Sequence, residues 1–370
     1  MTAADRIQEL APICRLFPEL GISAPKDLRT LLETALGSPE ALDGFVPHGD
    51  GWSHAIAPRR IYHVLAGTLP VSGWRSLLEG LLLGSENLLQ CPAEQQGAMA
   101  RFRAALPPAL RKRARILPSY SEEILASADA VVVFGRDETI DLFRSRCRKE
   151  QIFVGYGHRA SLLWLGMVRR PTAVLAKAVA RDLTAYDQLG CLSPQSLILE
   201  PGAAVFSLAK LLIRALSEEA RARPVRRRAE EAARIREART VARALGWPIW
   251  DDGEELQWTL AVRDLPQFQP TCGHRVLYLD PVPRKRLADW LAPLQGHLSA
   301  VGVGSPLPAS LRKLFCHLGA SRFCPAGTMQ SPPPLWHHDG RPPLTDLIRW
   351  IDWEGSRPPA GAEARVGSGR

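Results

Sequence analysis

The stretch Ala128-Asp129-Ala130-Val131-Val132-Val133-Phe134-Gly135-Arg136-Asp137-Glu138-Thr139 decides how the rest of the chain is read. Ala130 to Phe134 is an unbroken apolar run rich in β-branched residues, with no polar alternate for a solvent face. That pattern suits a strand covered on both sides. Gly135 closes it, and a helix is expected over Asp137 to Arg146.

The same texture extends in both directions. Strands are expected at Ile61 to Ala66, Asn87 to Gln90, Arg115 to Leu117 and Ile152 to Val154. Helices are expected at Trp74 to Leu83, Ala93 to Leu106 and Glu122 to Ala126. Strands alternating with helices across short Gly/Pro breaks predict an α/β fold with a parallel sheet. A second block opens near Leu162. It holds a helix over Ala173 to Ala185, strands at Leu197 to Glu200 and Val276 to Leu279, and one long helix from Ser207 towards Leu245. Further helices are expected at Arg284 to Ala292 and Leu307 to Leu318. The expected organisation is a helical segment over 1–47, an α/β domain over 48–160 and a second over 161–353. Residues 354–370, rich in Gly, Pro, Ala and Arg, are expected to form a disordered tail.

With 370 residues, 46% hydrophobic and 23% charged, the chain has the composition of a globular protein. The leucine-rich Leu77 to Leu89 is interrupted by Glu79 and Glu86 and is too short to span a bilayer. Seven cysteines in no paired framework fit reduced thiols, and the expected compartment is the cytoplasm. The net charge of +9 sits largely between Arg221 and Arg243, interleaved with Glu218, Glu219, Glu230, Glu231 and Glu237. Mixed signs at helical spacing read as a solvated face, and no aromatic platform accompanies them, so no nucleic-acid partner is expected.

One cysteine stands apart, in Ala185-Tyr186-Asp187-Gln188-Leu189-Gly190-Cys191-Leu192-Ser193-Pro194-Gln195. It follows a glycine and precedes Ser-Pro, outside any regular helical or strand period. A thiolate with room around it is a nucleophile. Asp187 and Gln188 either shape this loop by turn chemistry or bind polar groups of a substrate. Cys272, His274, Cys316, His317, Cys324, His337 and His338 match no zinc spacing, and no metal is expected. Cys14 and Cys147 sit in helical surroundings and read as packing.

Several phrases in order resemble the bacterial fatty-acid reductase (LuxC-like acyl-CoA reductase) family, an offshoot of the aldehyde dehydrogenase superfamily. They are the cysteine loop, the Ala128–Thr139 stretch, Val154-Gly155-Tyr156-Gly157-His158-Arg159-Ala160-Ser161, Arg322-Phe323-Cys324-Pro325-Ala326-Gly327-Thr328-Met329, and Trp336-His337-His338-Asp339-Gly340 with Asp346 to Trp350. The resemblance runs from about residue 60 to 353. It implies two doubly wound parallel-sheet domains of aldehyde-dehydrogenase type, the first binding a dinucleotide, with the active site in the cleft between them. The expected reaction moves a fatty acyl group from coenzyme A, or an acyl carrier, onto Cys191 and reduces the thioester to an aldehyde with hydride from NADPH, NADH being the other donor. An acyl-activating or acyl-transferring enzyme and further copies of the chain are the implied partners. The alternative is an acyl-binding or acyl-transfer protein of the same fold without hydride chemistry.

The resemblance also marks individual residues. Ala66-Gly67-Thr68-Leu69-Pro70 is similar to the family's Ala-Gly-Asn-x-Pro, so Thr68 stands where an asparagine amide donates to the thioester oxygen. Cys91-Pro92-Ala93-Glu94-Gln95 resembles the superfamily's Lys-Pro-Ala-Glu-Gln, which places Pro92 and Glu94 near the adenine ribose and a cysteine at the lysine position. Gly135 lets backbone approach a dinucleotide at the carboxyl end of its strand. The Val154–Ser161 phrase lacks the glutamate that activates hydrolytic water in aldehyde dehydrogenases. His158 in it is available as a proton source or as a base for Cys191, or is a structural histidine beside a glycine turn.

Overall fold

In the computed structural model, which describes residues 1–67, 69–356 and 358, the valine run is a strand over Ala130–Phe134 with its first four residues buried. It is the fourth of five parallel strands: β1 (Arg60–Val64), β2 (Glu86–Gln90), β3 (Ala114–Leu117), β4 (Ala130–Phe134) and β5 (Ile152–Tyr156). The spatial order is β3-β2-β1-β4-β5, with every neighbouring pair parallel. The chain winds outward from β1 to β3, then crosses to the other side of β1 for β4 and β5. The loops after β1 and β4 therefore diverge at the carboxyl edge, the switch point at which open α/β sheets bind ligands. Asp129 locks the start of β4 to β1, its carboxylate accepting from the Arg60 amide at 2.9 Å. The following helix, Asp137–Arg146, carries Asp137 and Glu138 in its first turn and Arg144 and Arg146 in its last, complementing its dipole.

Met1–Gly157 and the chain from Pro333 onward make one unit, and His158–Pro332 a second. The N-terminal helices Ala3–Leu16 and Pro25–Leu36 belong to the first. Their Leu10, Leu28 and Leu32 share a core with Leu77, Leu81 and Phe102 from the helices flanking β2. The expected boundaries put residues up to 353 with the second block. Instead, Arg349–Glu354 pairs antiparallel with Gly51–Ile56, which also pairs with Val46–His48. This small sheet carries the closing segment into the first unit. Most of the expected tail, 354–370, lies outside the described residues.

The second unit is built on seven strands: β6 (Ala160–Gly166), β7 (Pro194–Leu199), β8 (Ile249–Asp251), β9 (Thr259–Val262), β10 (Val276–Pro281), β11 (Leu298–Val303) and β12 (Arg322–Pro325). Their order is β8-β9-β10-β7-β6-β11-β12, with β8 antiparallel and the rest parallel. Strand β6 escaped the sequence reading because all seven residues are buried. An apolar run of that length has no period to separate strand from helix. Inside the sheet, Arg263 and Asp280 form a fork of two hydrogen bonds at 2.8 and 2.9 Å. Asp280 also accepts from Ser196, which ties β9, β10 and β7 together around a fully paired buried charge.

The single helix expected from Ser207 to Leu245 is two, Val205–Ala222 and Ala229–Ala244. Pro224 disfavours the helical conformation for Arg223, which sits at φ −138°, ψ 69°. The expected solvated arginine face also needs correcting. Arg214 pairs with Glu218 and Arg228 with Glu231 on the outside, but the side chains of Arg227 and Arg239 are only 5% and 4% exposed. Arg239 donates to the Thr259 hydroxyl, to Asp252 and to the Trp258 carbonyl, fastening its helix to β9.

Candidate active site

Cys191 is exposed on a turn that feeds the amino end of β7. The turn is closed on itself: the Ser193 amide donates to the Gly190 carbonyl at 2.9 Å, and the Gly190 amide donates to the Ser193 hydroxyl at 3.2 Å. Ser161, near the start of β6, donates to the Cys191 carbonyl at 2.7 Å and accepts from the Ala300 amide of β11 at 3.2 Å. Gln330 donates to the Ser193 hydroxyl at 3.0 Å. The backbone carrying Cys191 is thus held by Ser161 of the neighbouring β6 and the turn by Gln330, while the residue stays exposed, an arrangement suited to a nucleophile.

The approach to the turn is held as firmly. Gln188 is buried and donates to the Pro194 carbonyl at 2.8 Å and the Val276 carbonyl at 2.9 Å, so it shapes the loop. Asp187 is ion-paired with Arg227 and Arg275 and accepts from His274 Nδ1 at 2.9 Å. Burial alone would raise its carboxyl, but the hydrogen bonds from His274 and Arg227 hold it below the usual carboxylate range. Asp182, at the end of the helix Ala173–Thr184, accepts from the Met329 amide at 2.9 Å and from the Gly327 amide. Burial pushes its carboxyl up to about 6 against those bonds. Arg322 donates to the Thr328 and Met329 carbonyls, so the segment leading to Gln330 is clamped from two sides.

The residues expected at the cofactor lie on the carboxyl edge of the first sheet. Gly67 follows β1 with φ +83°, a conformation glycine adopts without steric cost. Gln95 crosses from the helix Ala93–Ala105 to donate to the Gly67 carbonyl at 2.5 Å. Thr68 lies outside the described residues. Pro92 caps the helix after β2 and Glu94 is exposed in its first turn. Cys91, at the position of the superfamily lysine, is buried, and burial raises its thiol. Gly135 follows β4, and a Cβ there would lie 3.1 Å from Thr139 Cβ. Glycine at this position thus lets the Thr139 side chain pack close against the turn into the next helix. His158 is exposed at the head of the second unit, where its carbonyl accepts from His297 Nδ1 at 3.2 Å.

The closing phrase packs in the first unit. His338 stacks on Tyr156 at 4.5 Å, Tyr156 on Phe134 at 4.7 Å, and Trp336 tilts over His338 at 4.9 Å. This column stands on the carboxyl ends of β4 and β5. The histidines and cysteines considered for a metal go elsewhere, His274 to Asp187, and among the described residues no three metal-ligating groups converge. Sequence reasoning missed Ser161, Gln330, Gln95 and the partners of Asp187. Ser161 and Gln95 end quoted phrases and Gln330 directly follows one, so their signal was adjacency to a recognisable motif.

The family model described as Acyl-CoA reductase (LuxC) matches residues 20–350. The chain belongs to this family. Among curated proteins it is 26% identical over 204 residues to long-chain acyl-protein thioester reductase 2 of Photobacterium leiognathi, covering 51% of this chain and 42% of that one. It is 27% identical over 184 residues to the long-chain acyl-protein thioester reductase of Vibrio harveyi, covering 46% of this chain and 38% of the other. The chain thus matches less than half the length of these relatives. Among solved structures, an NAD-dependent aldehyde dehydrogenase from Sinorhizobium meliloti superposes with a TM-score of 0.66 at 13% identity, covering 98% of this chain and 84% of that one. Glyceraldehyde-3-phosphate dehydrogenase from Methanocaldococcus jannaschii, solved with NADP, gives 0.60 at 11% identity, covering 95% and 87%. The fold of this LuxC-family chain is that of the aldehyde dehydrogenases, as the sequence phrases implied. No helix among the described residues is long and apolar enough to cross a membrane.

Proposed function

We propose that this protein is a thioester reductase that converts a fatty acyl group on coenzyme A, or on an acyl carrier protein, into an aldehyde through an acyl-enzyme on Cys191. The observation that carries the reading is an exposed cysteine on a turn anchored by Ser161, Ser193 and Gln330, in a family of acyl-CoA reductases. The Cys191 thiolate adds to the acyl carbonyl, the C–S bond to coenzyme A breaks, and a thioester to the enzyme remains. Charge builds on the carbonyl oxygen during that exchange, and the Thr68 hydroxyl is the expected donor to it. When bound, the nicotinamide supplies a hydride equivalent for the acyl carbon, and the resulting hemithioacetal collapses to aldehyde and thiolate. His158 is the proposed proton source. Because the Val154–Ser161 phrase holds no carboxylate to activate water, the thioester is kept for reduction instead of hydrolysis.

The carboxyl-edge loops of β1, β2 and β4 fit a dinucleotide: Gly67 and Gly135 present bare backbone, and Glu94 offers an acceptor to a ribose hydroxyl. NADPH is the proposed donor, with NADH competing because Cys91 supplies no charge to a 2′-phosphate. We place the protein in the cytoplasm as a homo-oligomer served by an acyl-activating or acyl-transferring enzyme.

Intact-mass measurement after exposure to mixed acyl-CoAs, with and without NADPH or NADH, tests the reading. The wild type should gain an acyl mass that the nucleotide discharges with release of aldehyde, and Cys191→Ala should gain none. Acylation that neither nucleotide discharges would favour the acyl-transfer alternative, and no acylation at all would remove both.

A further inference from the structure

The segment leading to Cys191 takes a costly path. Tyr186, Asp187 and Gln188 are consecutive non-glycine residues at φ 52°, 55° and 61°. Side-chain-bearing residues in the left-handed region cost of order 1 kcal/mol or more each, and they persist only when surrounding structure holds them there. The segment against which this one packs is strained in the same way: His274 and Arg275 sit at φ 56° and 63°. The two are joined through Asp187. Its carbonyl accepts from the His274 amide at 3.1 Å, and its carboxylate faces His274 Nδ1, Arg227 and Arg275. Arg227 donates in addition to the Leu256 carbonyl at 2.8 Å and the His274 carbonyl at 3.3 Å, and Arg275 to the Arg223 carbonyl at 3.0 Å. Gly273 completes the fit: a Cβ there would come within 3.1 Å of Leu189.

We infer that Asp187 is a positioning residue whose clasp of Arg227, His274 and Arg275 holds the left-handed entry to the Cys191 turn and so sets the orientation of the nucleophile. The inference rests on the reading of Cys191 as the acyl acceptor. A carboxylate is needed because His274 and Arg227 donate to one of its oxygens while Arg275 faces the other as an ion pair at 3.1 Å, and only an ionised acid meets two donors and a further cation at once. Gln188 then carries the set backbone to Pro194 and Val276, leaving Gly190 to Ser193 as the one short span between the clasp and β7. Losing the clasp would leave the thiol in place but its approach to an acyl carbonyl poorly aligned, and misplacement of about 1 Å can cost ~100-fold in rate.

The experiment compares wild type with Asp187→Asn and Arg275→Gln, the second reaching the clasp from the other side should the first fold poorly. Hydrogen exchange read by mass spectrometry over the 185–195 peptide should rise about tenfold in both variants, with β6, β7 and β10 unchanged. Acyl-enzyme formation should slow by 10- to 100-fold at saturating acyl-CoA while the half-saturating concentration moves less than about twofold. The double variant should be no slower than the worse single one, since both break one unit. Unchanged exchange in the peptide overturns the inference, as does a rise across the whole second unit, which would make Asp187 a general stabiliser. A slowed acylation explained entirely by weaker substrate binding overturns it too. If the wild type forms no acyl-enzyme, the functional reading fails, and the exchange data still decide whether the clasp holds the turn.

Discussion

At the scale of single residues, the chemistry turns on a few substitutions within otherwise familiar phrases. Cys191 was legible because a cysteine between Gly190 and Ser193-Pro194 has no reason to be there as packing, and the residue is indeed exposed. Thr68 is the reverse case, a hydroxyl where the family phrase carries an amide. A threonine side chain is shorter and also accepts hydrogen bonds, so in the proposed mechanism it is the weaker oxyanion donor. Thr68→Asn should therefore raise the rate of acyl-enzyme formation by about 10-fold or more, within the 100- to 1,000-fold that one such donor supplies elsewhere. Stopped-flow release of coenzyme A from wild type and variant measures this, and an unchanged rate would remove Thr68 from the oxyanion site. Cys91 was marked as a missing charge, but its burial shows that a lysine in its place would have to redirect its side chain to reach solvent.

At the scale of elements, β1 carries a pH-sensitive core. His63 is fully buried between the Ser76 hydroxyl at 2.7 Å and Asn87 Oδ1 at 2.9 Å. The Asn87 amide nitrogen donates to the Ser85 carbonyl at 2.8 Å, which leaves its oxygen to accept from His63 Nε2. His63 Nδ1 then accepts from Ser76, and the ring is neutral. Burial pushes its pKa down to about 4. The unfolded chain binds a proton near pH 6.5 and the folded chain does not until about 4, so stability is full above the higher value and falls as pH drops between them. The loss approaches 3 kcal/mol in order of magnitude. Urea unfolding from pH 7 to 4 should show that slope in the wild type and a shallower one in His63→Gln. None of this was visible in the sequence, where His63 is one polar residue in an apolar run. Its partners come from a helix and a strand 13 and 24 residues away.

At the scale of the whole molecule, the closing segment decides how the chain is divided. Arg349–Glu354 adds to Gly51–Ile56 across nearly the full chain length, with Trp350 facing Ala55 and Trp353 facing Trp52. Ending the chain after Ile348 would leave Gly51–Ile56 with an open edge. The melting temperature of the first unit should fall by about 5 °C, measured by calorimetry, while the second unit keeps its own transition. An unchanged first transition would show that the strand is an ornament. The amino-acid sequence by itself determined the α/β alternation, the buried β4 with its closing Gly135, and Cys191 as the residue to watch. Each is a local pattern, written in apolar periodicity, turn residues or a phrase of a dozen positions. The break at Pro224 is a local signal that the helical reading passed over, whereas tertiary structure alone decided the inward turn of Arg227 and Arg239, the strand from the far end of the chain, and the clasp on Asp187. Those features depend on groups brought together from 13 to about 300 positions apart, and burial and hydrogen-bond partnership at that range leave no local trace in the order of residues.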